Sequence, residues 1–482
     1  MTLLERRPEQ EEWKLACKEA FKTHSYVLGQ APVGFGKTTC FSEIAHTIVD
    51  QGGRVLVVVH RDLIGAQISE RLLERGVIHG WQMSGRPEFP EAPVQIVTPQ
   101  SYLGRADRYG KLSDYDFVIK DECHRAVSKT YLQTDADLAW RSPGHHDLGT
   151  SATPTRLDNK PLNLRYTTMK LAPSPNEMCD LGRLVRPSVF SPPCVVDLSS
   201  VPKSMGDLQR EAQAAILNSK VFHAEVVGSY ERYAPETQAL IFASTIEHAY
   251  ILREEVRAAG YTAEVLEGKT SASDRVEFVR QFRAREVRFL ISVELLTEGF
   301  DVPGAETVIF CRKTMSTQLY LQAIGRIMRS APGKSKAYVL DLVGNVYRHG
   351  SPCADRTWSL EGVVVERHHR AIRQCMNCYA WIDNIGLKDC TECGATLAQA
   401  KVRTFRYQPS GTLVEIEDVK PKEATKNDLF LAELKGIHWT DPEGHKKCQN
   451  LAEKYGYKKG YGSMKWKFKR EAGQKAQARS AR

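Results

Sequence analysis

No stretch of this sequence offers about 18 consecutive apolar residues, so no membrane-spanning helix is expected. The opening residues, MTLLERRPEQEEW, are too charged for a secretory leader, and a cytoplasmic setting is the default expectation. Short-period repeats are missing, which excludes a solenoid. Cysteine is sparse and mostly solitary. Eight of the 12 stand singly, which argues against a disulfide framework.

What is present is a soluble globular composition, with 42% hydrophobic and 26% charged residues. At roughly 150 residues per domain, 482 residues correspond to about three domains. The net charge of +9 is unevenly placed, because the segment from Lys458 to Arg482 carries nine Lys/Arg against one acid, Glu471. Such a basic tail suits a polyanion partner, and equally a solvated terminus.

Apolar strands alternate with amphipathic helices over residues 1–155. Tyr26–Gln30, Val55–His60, Ile96–Thr98 and Phe117–Lys120 read as strands, and Thr38–Val49 as a helix. This order implies βαβ units and a doubly wound parallel sheet, the α/β class. Residues 156–205 hold prolines at 161, 173, 175, 187, 192, 193 and 202 and read as a connector outside the regular core. Alternation resumes over 206–350, with strands expected at Ala239–Ala243, Glu264–Leu266, Phe289–Val293, Val308–Cys311 and Ala337–Leu340. Two tandem halves of like architecture result. A cysteine-bearing region follows at 351–400. Residues 401–482 read as a linker, a small helical module and the basic tail.

Residues 31–38, APVGFGKT, lie between a predicted strand and a predicted helix, the setting of a phosphate-binding loop. Gly34 and Gly36 let the backbone curl its N–H groups toward phosphate, and the helix start adds its positive dipole end. Lys37 would reach the β- and γ-phosphates, Thr38 would ligate Mg²⁺, and Thr39 joins the nucleotide site. The strict pattern has glycine where Ala31 stands. A second element, Asp121-Glu122-Cys123-His124, follows the strand at Phe117–Lys120. Acids at a strand's C-terminal end sit where open α/β sheets bind ligands. Asp121 would hold Mg²⁺, and Glu122 would polarise the attacking water.

With these elements in order, the chain resembles a superfamily 2 helicase of the DExH type over residues 5 to 350. The resemblance implies two RecA-like domains with ATP between them. Arg7-Pro8-Glu9-Gln10 resembles the adenine-reading Q element, with Gln10 as the carried-over residue. His60-Arg61 followed by Gln67 resembles motif Ia, and Thr98-Pro99-Gln100-Ser101 motif Ib. Arg61, Thr98, Gln100 and Thr297 would then touch nucleic acid. Ser151-Ala152-Thr153-Pro154 resembles motif III, so that Ser151 and Thr153, with His124, would couple hydrolysis to movement. Leu240–Ser244 resembles motif IV. Thr297-Glu298-Gly299-Phe300-Asp301 resembles motif V, which adds Gly299 and Asp301 to the nucleotide set. Gln322-Ala323-Ile324-Gly325-Arg326-Ile327-Met328-Arg329 fits motif VI. Arg326 and Arg329 are three apart on one helix face and would serve as arginine fingers beside Gln322.

The wording of these motifs, DECH with a Gln-led motif VI and EGFDVP at 298–303, is similar to the DNA-repair and phage branch. It favours DNA over RNA as the partner, in a bacterial or phage-infected host cytoplasm. Replication or repair proteins are further candidate partners. Translocation without strand separation, RNA unwinding and ATP-gated binding remain open at this point, and a monomer would suffice. The run Leu340–Asn345 with His349-Gly350 also resembles this branch but has no chemical role assignable from sequence. A nuclease motif is not found.

Cys375-x2-Cys378 and, eleven residues on, Cys390-x2-Cys393 have the spacing of two thiolate knuckles closing one tetrahedral Zn²⁺ site. Four protein ligands leave no open position, so the zinc would be structural, as in a zinc ribbon. Finally, Tyr455–Arg470 interleaves Tyr455, Tyr457, Tyr461, Trp466 and Phe468 with basic residues. The pattern fits stacking on bases, and also a small packed helical module.

Overall fold

The structure, a computed structural model, describes residues 7–105, 114–156, 160–191, 201–204, 207–293, 304–361, 373–375, 377–382, 387–396, 406–407, 413–414, 443–454 and 463. Two compact units divide the chain, Met1–Val414 and Glu415–Arg482.

The first unit contains two parallel sheets. In lobe 1 the strands are β1 (Tyr26–Gln30), β2 (Val55–Val58), β3 (His79–Gln82), β4 (Val94–Val97), β5 (Phe117–Lys120), β6 (His146–Ser151) and β7 (Thr168–Leu171). Their order across the sheet is β3-β4-β2-β5-β6-β1-β7. In lobe 2 the strands are β8 (Pro187–Phe190), β11 (Ala239–Ala243), β12 (Ala263–Leu266), β13 (Phe289–Ser292), β14 (Thr307–Cys311) and β15 (Ala337–Asp341), the numbers between belonging to the two-residue ladder of β9 (Lys203–Ser204) and β10 (Asp207–Leu208). Here the order is β12-β13-β11-β14-β15-β8. Central strands such as VLVV in β2 and ALIFA in β11 are buried at every residue. That is the pattern of a parallel sheet covered by helices on both faces.

The proline-rich stretch expected to be a connector supplies a strand to each sheet. β7 pairs with β1, and β8 pairs with β15. The prolines are tolerated where they fall. Pro187 opens an edge strand, and Pro175 occupies the first turn of the helix Pro175–Asp180, whose capping box is formed by Ser174 and Glu177. At 157–159, 192–200 and 205 the connector lies outside the described residues.

Helix α1 (Pro8–Ala20) begins on a proline with Glu9 and Glu11 in its first turn, a favourable N-terminus. Helix α2 (Lys37–Asp50) follows the glycine-rich loop, helix α3 (Asp62–Glu74) follows β2, and the short helix α4 (Pro99–Leu103) follows β4. α2, α3 and α4 start at the C-terminal ends of their strands, so these loops of lobe 1 gather along one end of the sheet.

Beyond lobe 2, Arg373–Gln374 and Trp381–Ile382 form a small antiparallel ladder. Ala380 bridges to Phe190, so this cysteine-bearing turn lies against the exposed side of β8. Cys375, Ala380, Ile382 and Cys390 join the lobe 2 core, and Trp381 packs edge-on against Tyr347. In the second unit the helix Gly444–Lys454 buries Cys448, Leu451 and Ala452. Apart from Ser463, the aromatic tail Tyr455–Arg470 lies outside the described residues.

Candidate nucleotide cleft and cysteine cluster

The loop after β1 is shaped by two left-handed glycines, Gly34 (φ 85°) and Gly36 (φ 97°). Side chains are excluded there for a second reason. A Cβ on Gly36 would lie 2.4 Å from Gln10 Nε2, and one on Gly34 would lie 2.6 Å from Leu184 Cδ2. Gln10 is buried, and its Nε2 donates to Phe35 O at 2.7 Å, so this glutamine braces the loop from behind. Lys37 is the first residue of α2, and its Nζ donates to Ala31 O at 3.2 Å across the loop.

At the end of β5 the chain turns through Glu122 in left-handed conformation (φ 49°). A non-glycine residue holds that conformation at a cost of about 1 kcal/mol or more, which marks the turn as over-determined by its surroundings. Asp121 is buried, with Thr150 Oγ1 donating to its Oδ1 at 3.3 Å. Burial first, and the Glu122 charge second, push the Asp121 carboxyl above its ordinary range.

Behind this turn lies a charged quartet. Lys120 is fully buried and is ion-paired with Asp135 and Asp147. Arg165 pairs with both acids as well, at 2.8 Å to Asp135 Oδ2, and lies over the Tyr26 ring. Burial works to raise the Asp147 carboxyl, but Lys120 and Arg165 together outweigh it and hold it below the usual value.

Lobe 2 meets this surface with the helix Thr317–Ile327. Gln322 Nε2 donates to Glu122 Oε1 at 3.3 Å. Gln318 Nε2 lies 2.7 Å from His124 Nε2, while His124 Nδ1 lies 3.2 Å from Glu122 Oε2 and 3.3 Å from Ser151 Oγ. One neutral tautomer fits this set, with Nδ1 donating and Nε2 accepting from the Gln318 amide. Thr153 N donates to Ser151 Oγ at 3.1 Å. Gly325 permits the close approach, because a Cβ there would lie 2.4 Å from Val33 Cβ.

A cleft of about 320 Å³ results, lined by Gly34, Gly36, Lys37, Thr38, Thr39, Asp121 and Glu122 from lobe 1 and by Gln322, Arg326 and Arg329 from lobe 2. Gln10 reaches the loop from its far side. Arg61 lies elsewhere, in an inter-lobe cavity of about 650 Å³ shared with Arg210, Ser244, Thr245 and His248 of lobe 2. Thr98 and Gln100 line neither space. Thr98 caps α4, its Oγ1 accepting from Ser101 N at 3.3 Å, and Gln100 is exposed on that helix. Thr297, Gly299 and Asp301 lie outside the described residues. Sequence reasoning missed Gln318, and also Arg7 and Arg183 at the cleft's rim. Gln318 was findable, since it stands four residues before Gln322 and therefore on the same helix face.

The thiols of Cys375, Cys378, Cys390 and Cys393 lie within 4.8 Å of one another, a cluster able to hold a metal ion. The two knuckles are alike. Tyr379 (φ 59°) and Gly394 (φ 72°) each follow a cysteine in left-handed conformation, and each donates its N–H to the carbonyl of its knuckle's first cysteine. Among the described residues no helix is long and apolar enough to cross a membrane.

Residues 3–156 match the family described as Type III restriction enzyme, res subunit, and residues 222–331 match the Helicase conserved C-terminal domain. The chain is 29% identical over 404 residues to a 51.5 kDa protein of a Lactococcus phage, covering 82% of this chain and 83% of that protein. It is 23% identical over 346 residues to a candidate ATP-dependent helicase of Saccharomyces cerevisiae, covering 68% of this chain and 50% of that protein, so it spans about half that relative's length. Among solved structures, a fragment of a candidate HsdR subunit of a type I restriction enzyme from Vibrio vulnificus superposes with a TM-score of 0.57 at 18% identity, over 74% of this chain and 67% of that one. An ATP-dependent type ISP restriction-modification enzyme bound to DNA gives 0.54 at 18%, over 70% of this chain and 27% of that one. The structural likenesses concern the two-lobed RecA-like fold. The sequence matches and the order of the motifs identify the chain as a DExH-type helicase of superfamily 2, with the domains of a nucleic-acid-dependent ATPase.

Proposed function

We propose that this chain hydrolyses ATP to drive its own movement along DNA and to separate the strands. One observation carries the reading. A single lobe 2 helix, Thr317–Ile327, reaches Glu122 of lobe 1 through Gln322 and lines the phosphate-loop cleft with Arg326.

In this reading the loop N–H groups and Lys37 hold the β- and γ-phosphates, and Glu122 orients the attacking water, with Gln322 fixing its carboxylate. Arg326 and Arg329 meet charge developing on the γ-phosphoryl oxygens. Triphosphate favours the closed cleft because only then do those oxygens gain arginine partners. Hydrolysis removes that differential interaction, and the lobes part. His124 joins Glu122, Ser151 and Gln318 and would relay the change toward Thr153. Gln10 would contribute to adenine recognition, and Arg61, Thr98, Gln100 and Thr297 to holding the DNA strand.

Thr38 and Asp121 would hold Mg²⁺, which supplies neutralisation of phosphate charge. The fit is good, because Asp121 is a buried carboxyl beside a second carboxylate, a pair that favours a divalent cation. The cysteine cluster would hold a structural Zn²⁺. Sulfur separations of 3.7 Å (Cys375–Cys393) and 3.6 Å (Cys378–Cys390) match the edge of about 3.8 Å of a tetrahedron with metal–sulfur bonds of about 2.3 Å.

ATP turnover of the full chain, alone and with single-stranded DNA, forked DNA and RNA, tests the reading, with Glu122→Gln as control. DNA should stimulate turnover, and the substitution should lower kcat by about 10²- to 10⁴-fold. Greater stimulation by RNA would overturn the choice of partner. Strand displacement on the fork then distinguishes unwinding from translocation alone. ATP binding without turnover on any polymer would leave a gated binder.

A further inference from the structure

The run Leu340–Gly350 is without a role in the scheme above, yet its Asp341, Asn345 and His349 side chains are among the most deeply buried polar groups in lobe 2. Asn345 is 0% exposed and His349 3%. Their partners all belong to one short segment, residues 312–317, which joins β14 to the helix Thr317–Ile327. Asn345 Oδ1 accepts from Thr314 N at 2.9 Å, and Asn345 Nδ2 donates to Arg312 O at 3.0 Å. His349 Nε2 donates to Thr314 O at 2.9 Å, and His349 Nδ1 accepts from Thr317 Oγ1 at 3.1 Å. Thr314 O can only accept, so Nε2 carries the hydrogen, and in the neutral ring Nδ1 is then the acceptor for the Thr317 hydroxyl. Burial keeps it neutral by pulling its pKa down to about 4. Tyr320, on the first turn of the same helix, stacks on the His349 ring at 5.0 Å and donates to Gly350 O at 3.1 Å. Asp341 Oδ2 accepts from Val346 N at 2.6 Å and so sets the turn that aims both side chains.

A buried polar group without a partner is costly, so this set has few alternative arrangements. Its geometry bears on the cleft because the helix it grips carries Gln318, Gln322 and Arg326 on successive turns. Arg326 lies nine residues beyond Thr317, roughly 13 Å along the helix. A tilt of about 5° at the first turn would therefore move it by about 1 Å, and a misplacement of that size can cost about 10²-fold in rate.

We propose that Asn345 and His349 are positioning residues of the ATPase, clamping the segment 312–317 so that the helix Thr317–Ile327 presents Gln318, Gln322 and Arg326 to lobe 1 at one fixed angle. The proposal rests on the ATPase reading above.

DNA-stimulated turnover of the full chain tests it. His349→Phe keeps the ring against Tyr320 but loses both hydrogen bonds, and Asn345→Ala loses the other pair. Each should lower kcat by about 10- to 100-fold with the ATP dissociation constant within about twofold of wild type. A merely structural role predicts losses that add to those of other variants. Here, in an Arg326→Ala background followed by single-turnover release of labelled phosphate, His349→Phe should cost less than about twofold more. A further tenfold loss in that background would overturn the proposal, as would wild-type kcat in both single variants. Should either variant fail to fold, Thr317→Val removes one clamp bond at a half-buried position and should lower kcat severalfold, whereas Thr317→Ser retains the hydroxyl and should restore it. Equal rates for those two would also defeat the clamp. Wild-type protein without turnover on any polymer defeats the ATPase reading, and the clamp with it. Turnover in wild type that survives every clamp variant defeats the clamp alone.

Discussion

The two lobes hold their halves of the cleft by opposite means. Lobe 1 anchors the DECH turn on buried charge, with Lys120 and Arg165 shared between Asp135 and Asp147. Lobe 2 anchors its arginine helix chiefly on buried neutral groups, Asn345, His349 and Tyr320, to which Asp207 adds one ion pair, with Arg312, and bonds from Thr314 Oγ1 and Met315 N. The difference follows from what each must hold. The DECH turn carries two adjacent carboxylates, and the quartet behind it, two cations matched by two acids, ties the strand ends there into one buried ion-pair network. The helix in lobe 2 presents Arg326 to the phosphate-loop cleft, and hydrogen bonds between largely neutral groups fix the direction in which it points. Charge gives strength, and neutral hydrogen bonds give angle.

The largest expected effect is on the charged mount. Lys120→Met should destabilise the chain by about 3–5 kcal/mol in urea unfolding, because two buried carboxylates are left with Arg165 alone. Adding Asp135→Asn should recover a substantial part of that loss. No recovery would mean that Lys120 matters through packing.

Acid should then separate the lobes. His248 and His349 are pulled by burial to about 4, from an ordinary histidine value of 6.5, and His223 is lowered as well. The unfolded chain takes up these protons first, so the stability they contribute is full above 6.5 and is lost as pH falls from 6.5 to about 4. His248 and His349 each contribute up to about 1.4 kcal/mol per pH unit in that window, and His223 acts in the same direction. In lobe 1, burial lowers His145. Its Asp147, held below the ordinary value of 3.8, contributes stability that is present above 3.8 and disappears only as pH falls further. Hydrogen exchange at pH 7 and pH 5, corrected for intrinsic rates, should therefore show lobe 2 opening first. Equal opening of the lobes would break the contrast.

Smaller still is Ser316→Ala. It removes the cap of the arginine helix, where Ser316 Oγ accepts from Leu319 N at 3.2 Å, and should cost about 1 kcal/mol in thermal unfolding. A negligible cost would show that the clamp holds the helix start without its cap.

Much of this arrangement was legible in the sequence. β1, β5 and β11 coincide with the expected strands, because their apolar runs are bounded by turn residues. The phosphate loop, the DECH turn and the Gln-led helix were each marked by spacing, and the structure brings them to one cleft. β6 was not legible. Its sequence HDLGTS contains one large apolar residue, Leu148, and it is buried because β5 and β1 flank it and the charged quartet satisfies Asp147. β7 was hidden between Pro161 and Pro173, and β8 by Pro187, which an edge strand accepts at its start. The clamp was hidden for another reason. Asn345 and His349 acquire their meaning from a segment some thirty residues earlier in the chain, and no local pattern encodes that pairing.

The placement of β8 also has a consequence for how the chain is made. Lobe 2 begins with Pro187–Phe190, but the strand that pairs with it is Ala337–Asp341, and the turn that covers its other side, at Ala380, comes later still. At roughly 5–20 residues per second of synthesis, this segment leaves the ribosome on the order of ten seconds before its partner exists. For that interval it is an unpaired apolar strand on a nascent chain, and elements translated well after it are the ones that put it out of reach of its neighbours.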